Sequence, residues 1–281
     1  MPRLTDALAR VHDSEPHAPG SESGLLSETL ETRDEPSLLE TTDPADPARH
    51  IRRSSHTRVQ TPPLESPVPH RLRPPLTELV ERTFLVPARL GETVRSLMFA
   101  SVDGADGSLL PAAVAEILLS RARGWICLVD ANFRAPILHR HYGSTNALGL
   151  IDALVGTGRV SSYARELSRG GDSSLWLMPT GDFSGAGERL LETEAYRRRM
   201  KDLVTAFEYV VIGTTIVTAD PSAAVLSAQV DGVILVAEAN VTTRQALRAA
   251  ARAVSAAGGR VLGTVLNNRT FPIPEVLYRL L

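Results

Sequence analysis

From residue 97 onward the chain repeats one pattern. A short, wholly apolar run is followed by a longer stretch with apolar residues every three or four positions. The runs 97–101, 125–129, 175–178, 209–212, 233–237 and 261–266 predict strands. The stretches 109–123, 148–155, 188–207, 222–229 and 243–257 predict helices. A strand without a polar face must be covered on both sides. Its alternation with helices therefore predicts an α/β fold: a doubly wound, mostly parallel sheet with helices on both faces. Upstream, Leu76, Leu79, Val80 and Phe84 fall near one face of a helix and connector over 76–90, where the preceding segment is expected to dock.

Residues 1–75 break the pattern. They contain no Phe, Trp or Tyr and are dense in Pro, Ser, Thr, Glu and Asp. Such a segment cannot bury enough apolar surface to offset its chain entropy, so a disordered tail is expected before a domain over 76–281. Its charge is segregated: residues 13–46 are mostly acidic, and Arg49, Arg52, Arg53, Arg58, Arg71 and Arg73 follow. A solvated tail accounts for this; a tether whose basic half touches acidic lipid or a partner is the alternative.

Composition narrows the classes. The chain has 281 residues, 43% of them hydrophobic, enough for one sizeable core. A net charge of −2 gives no overall pull toward nucleic acid or anionic membrane. The single cysteine, Cys127, sits in an apolar run and reads as a core residue, consistent with a reducing cytosol. No apolar run is long enough to cross a bilayer and no secretory leader is evident, so a soluble protein is expected.

In a parallel sheet, ligands bind outside the carboxyl ends of the strands. The first such turn runs Val102, Asp103, Gly104, Ala105, Asp106, Gly107, Ser108, Leu109. A phosphate loop needs glycines that let backbone N–H groups converge on an anion, a Lys, and a hydroxyl for magnesium. Gly104 and Gly107 suit that loop, but Ser108 stands where the Lys belongs and Leu109 where the hydroxyl belongs. An ordinary strand-to-helix turn, with Pro111 tolerated in the first helical turn, is the plain alternative. At the second strand end, Asp130 is placed to hold a metal-bound water, Asn132 is a weaker ligand, and Arg134 could reach a phosphate. A structural ion pair or cap is the competing role for Asp130 and Arg134. After the apolar run 209–212, where hydrolases of this plan carry an Asp, stands Gly213, followed by Thr214 and Thr215. Asn267 ends the last strand and could read an adenine edge or cap the loop.

These segments together resemble the bacterial tyrosine autokinases of capsule and exopolysaccharide synthesis, relatives of the MinD/ParA ATPases. The resemblance covers about 94–268 and rests on VDANFRAPILHRHYG, GLIDALVG, LWLMPTG, FEYVVIG, VDGVILVAEANVTTRQAL and RVLGTVLNN. It implies a phosphate-loop fold, ATP or ADP with magnesium, an inner-membrane polysaccharide co-polymerase or related kinase subunit as partner, and a place at the cytoplasmic face through that partner. Homo-oligomers are a further expectation, and nucleic acid is not. Three departures stand out: Ser108 and Leu109 replace the Lys and hydroxyl, Asn132 replaces the second Asp of the acidic motif, and Gly213 replaces the third-motif Asp. The terminal tyrosine cluster shrinks to Tyr278. The expectation is a non-catalytic, pseudokinase-like regulator whose nucleotide and magnesium binding is weak or lost, with Asp130 vestigial and no metal held. A divergent but active tyrosine kinase and a MinD/ParA-like positioning ATPase are the alternatives. The last stretch, 271–281, is expected to pack on the domain or to serve as a short anchor.

Overall fold

A computed structural model describes residues 73–86, 94–104, 109–181 and 194–268. The expected tail up to residue 72, Gly107, Ser108 and the 271–281 stretch with Tyr278 lie outside these residues.

Helix α1 (Arg73–Val80) begins before the expected boundary at 76. Its first turn takes Pro74 and Pro75 because the N–H groups there have no intrahelical partner. It continues into a wider π turn, Glu81–Leu85. The apolar stripe is placed as expected: Leu76, Val80 and Phe84 are buried, and the Phe84 ring meets Tyr209 edge-on at 5.6 Å. A fully buried Phe contributes roughly 1.5–3 kcal/mol, enough to hold so short a helix on the domain.

Seven strands form one sheet: β1 (Ser96–Ser101), β2 (Gly124–Ala131), β3 (Arg165–Gly170), β4 (Ser173–Met178), β5 (Tyr209–Ile216), β6 (Gly232–Glu238) and β7 (Val261–Asn267). Their order is β3-β4-β2-β5-β1-β6-β7. Every pairing is parallel except β3 with β4. The expected doubly wound sheet is therefore present, with an antiparallel edge strand that the apolar runs did not signal.

The two faces bury separate cores. Leu97, Phe99, Ile126, Leu128, Ile234 and Val236 point to one side, covered by α1 and α2 (Leu110–Arg121). Met98, Ala100, Cys127, Val129, Val233 and Leu235 point to the other. That side is covered by α4 (Leu150–Val155), α5 (Glu194–Ala206), α6 (Pro221–Ser227) and α7 (Arg244–Ala256). A single-turn helix of four residues, α3 (Leu138–His141), precedes α4 on the rim. The period-2 alternation of strand side chains explains why adjacent residues enter different cores.

At the entry end of the sheet, Asp231 fixes β1 beside β6. One carboxylate oxygen accepts the N–H groups of Arg95 and Ser96 at 2.8 Å and the Ser96 hydroxyl at 2.9 Å. The Ser96 Oγ in turn accepts the Asp231 N–H at 2.8 Å. This clamp lies at the end opposite the carboxyl ends of the strands.

Candidate functional site

The carboxyl ends of β1, β2 and β5 meet at a small cleft lined by Ser101, Pro111, Asp130, Gly213, Thr214 and Val236. Strand register brings its members together. Gly213 pairs with Phe99 of β1 on one side and with Asp130 of β2 on the other. The expected strand ended at Ile212, but β5 continues through Thr214 and Thr215 to Ile216. Neighbours on both sides pair its backbone, and β-branched residues suit such a buried strand. Gly213 is thus a strand residue, not a turn residue.

Pro111 crowds Gly213. Pro111, in the first turn of α2, puts its Cγ 3.0 Å from where a Cβ on Gly213 would stand and its Cβ 3.6 Å away. Contacts that close are rare between real atoms, and a proline ring cannot swing aside. Leu109, the N-cap residue of α2, supplies no side-chain cap. Gly104 is exposed in a left-handed backbone conformation, φ +74°, which favours glycine. Its neighbour Asp103 accepts a hydrogen bond from the Thr242 hydroxyl, whose oxygen accepts the Glu238 N–H at 2.8 Å. The first turn is thereby tied to the turn between β6 and α7.

Asp130 is buried, and its carboxylate is engaged by backbone. Oδ1 accepts the Asn132 N–H at 3.1 Å, and Oδ2 accepts those of Ile137 and Leu138, both at 2.9 Å. The Thr180 hydroxyl donates to the Asp130 carbonyl at 3.0 Å. Burial pushes the Asp130 carboxyl above its ordinary range, opposed by the N–H groups of Leu138, Asn132 and Ile137 and more weakly by His139. Asn132 accepts the Ala135 N–H at 2.9 Å, so the second-motif position also closes the loop.

Arg134 pairs with Asp220 rather than with Asp130. Its Nε lies 3.6 Å from the Asp220 carboxylate, while the side chain remains 64% exposed. Asp220 is buried and caps α6: it accepts the Ser222 N–H at 2.9 Å and the Thr215 hydroxyl at 3.1 Å. Asn267 lies on the same rim but on the far strand β7, beside Glu238, and its carbonyl accepts the Ala239 N–H at 2.9 Å. So the rim gathers Gly104, Leu109, Asp130, Arg134 and Gly213 around β1, β2 and β5, with Asn267 at the edge.

Sequence reasoning missed two residues that shape this site. Pro111 reads in sequence only as a tolerated helix start; its packing on Gly213 depends on the register of β5. Thr180 reads as part of a loop after β4, and nothing local signals that it holds Asp130.

The chain is 22% identical to the tyrosine-protein kinase YwqD of Bacillus subtilis over 188 residues, covering 67% of this chain and 78% of that protein. It is 25% identical to the tyrosine-protein kinase wzc of Salmonella typhi over 172 residues, 61% of this chain but only 24% of that protein. The kinase domain of the Escherichia coli tyrosine kinase ETK matches with a TM-score of 0.60 at 19% identity, covering 78% of this chain and 88% of that one. The chimerical protein CapA2B2 matches with a TM-score of 0.60 at 20% identity, covering 70% and 84%. No family model matches the chain. The seven-stranded, mostly parallel α/β fold is the one seen in these solved kinase domains. In sequence the chain is similar to bacterial tyrosine-protein kinases.

Proposed function

We propose that the protein is a non-catalytic relative of these kinases, acting through contacts in capsule or exopolysaccharide synthesis. The observation that carries this reading is Gly213 under Pro111. Where the resemblance calls for a carboxylate to anchor magnesium, there is no side chain, and a proline ring crowds the position its Cβ would take. Asp130 adds support, because its oxygens already accept three backbone N–H groups. Among the described residues no group of three acidic, His or Cys side chains is placed to hold a metal ion. The residues at the ends of β2 and β5 thus fit magnesium poorly.

On this reading the rim is a scaffold. Asp130 holds the loop into α3, Arg134 and Asp220 join that loop to α6, and Asp103 joins the first turn to α7. The partner is an inner-membrane polysaccharide co-polymerase or a related kinase subunit, which holds the protein at the cytoplasmic face. No described helix is long and apolar enough to cross a membrane, which is consistent with attachment through a partner.

The reading is tested by co-purifying the full chain with a polysaccharide co-polymerase from the same organism, with and without MgATP. Retention independent of nucleotide supports a contact role. Association that requires ATP hydrolysis overturns it.

A further inference from the structure

Helix α7, RQALRAAARAVSA, keeps its two faces apart. Ala250 and Val254 are buried, and Ala246, Leu247 and Ala251 pack on the same core. The outward side carries Arg244, Arg248 and Arg252, all exposed and four residues apart. Residues at that spacing lie one above the other on a helix, so the three form a row about 12 Å long.

The row runs against the helix's own electrostatics. Like charges four residues apart repel. A helix N-terminus favours a carboxylate, yet Arg244 occupies the first turn and α7 contains no Asp or Glu. None of the three arginines forms an ion pair with another described residue. The acids that flank α7 in sequence are engaged elsewhere. Asp231 holds Arg95 and Ser96, and Glu238 accepts the Asn268 amide at 3.2 Å. In the turn that leads into α7, two residues before the N-cap Thr243, Val241 is 56% exposed. An uncompensated row of arginines thus begins beside a bare valine.

We propose that this side of α7 docks on an anionic lipid surface, with the guanidinium groups against headgroup phosphates. The planar guanidinium fork matches phosphate oxygens. A bilayer is flat, and side chains in one row along a helix can reach one plane together. Val241 favours lipid over nucleic acid. An apolar side chain is at home at the headgroup boundary, whereas a nucleic-acid strand calls for aromatic platforms beside the arginines. The apolar face of α7 is committed to the core, so the helix does not insert and the contact is electrostatic. The chain's net charge of −2 does not prevent it. At about 0.1 M salt fields fade over about 10 Å, so the surface senses the row rather than the whole chain. The contact is separate from attachment through a co-polymerase and does not rest on it.

The test floats the full chain with vesicles of phosphatidylglycerol and phosphatidylcholine in equal parts, and with vesicles of phosphatidylcholine alone. Neither contains a protein partner. Binding is expected to the anionic vesicles at low salt and is lost at high salt. Arg248→Gln lowers the partition coefficient on the order of fivefold, the effect of one basic residue near an anionic surface. Arg244→Gln, Arg248→Gln and Arg252→Gln together abolish binding, with the circular dichroism of the fold unchanged. Arg123→Gln, which removes an exposed arginine just after α2, leaves binding unaltered. No binding at low salt, a triple variant that binds like the wild type, or equal losses from Arg123→Gln and Arg248→Gln overturns the proposal. Duplex DNA bound through the same three arginines, with the vesicles left unbound, overturns it as well.

Discussion

Pro111 closes over Gly213: its Cγ lies 3.0 Å from the point where a Cβ on residue 213 would sit. An aspartate introduced at 213 must therefore push the Pro111 ring back by a few tenths of an ångström. Overpacking of this kind costs about 1–3 kcal/mol. Gly213→Asp alone is expected to destabilise the fold by that amount in urea denaturation. Adding Pro111→Ala should recover most of the loss. If Gly213→Asp alone is neutral, the contact is not a constraint.

The same contact bears on attempts to rebuild a nucleotide site. Ser108→Lys, Leu109→Ser and Gly213→Asp together restore the first-motif and third-motif residues that the kinase resemblance calls for. The combination should raise affinity for MgATP only when Pro111→Ala is included. Calorimetric titration of the triple and quadruple variants checks this. Equal gains in both would show that Pro111 does not obstruct the site.

Asp130 is expected to matter for stability. Asp130→Ala leaves the N–H groups of Asn132, Ile137 and Leu138 without their acceptor, at a cost of about 3 kcal/mol. The sign of the pH dependence follows from the raised carboxyl pKa, whose largest cause is burial. A group whose folded pKa is raised contributes fully below its unfolded pKa of about 4 and loses that contribution as pH rises through the folded value. The stability gap between wild type and Asp130→Ala should therefore be wider near pH ~4 than at neutrality. Denaturation at the two pH values measures it; a gap that widens toward neutrality contradicts the burial argument.

Arg134 and Asp220 separate a phosphate-binding role from a structural one. Asp220→Ala removes the cap of α6 and a partner of Thr215, and should cost about 1–2 kcal/mol. Arg134→Ala should cost well under about 1 kcal/mol, because its ion pair is largely exposed. Thermal melts of both variants provide the comparison. A large loss from Arg134→Ala would mean that the pair is more than a surface contact.

Cys127 lies fully buried in β2, and burial pushes its thiol far up. Thiol reagents should leave the native protein unmodified at neutral pH and should label it only as fast as it unfolds. Rapid labelling under native conditions would place Cys127 at a surface.

Much of the fold was legible because its strands are buried on both faces. Runs such as those around Leu97, Ile126, Val211 and Ile234 carry their own signal. β3 was not legible in the same way. Arg165, Glu166, Ser168 and Arg169 lack an apolar run because the strand lies at an edge with solvent beside it. Its cue was the turn that follows: Gly170, Gly171 and Asp172 lead into β4, with Gly171 at φ +58°, as a tight hairpin requires. At the rim, sequence located Asp130 and Gly213 at strand ends, which register then placed side by side. It could not reveal Pro111 over Gly213, Thr180 under Asp130 or Asp220 beside Arg134. Those contacts join residues distant in sequence, and only the sheet order brings them together.

The most direct test of the account combines MgATP titration of the purified full chain with assays for phosphotyrosine and released phosphate. The account predicts neither tyrosine phosphorylation nor ATP turnover, and at most weak nucleotide binding. Tight MgATP binding with steady autophosphorylation would contradict it.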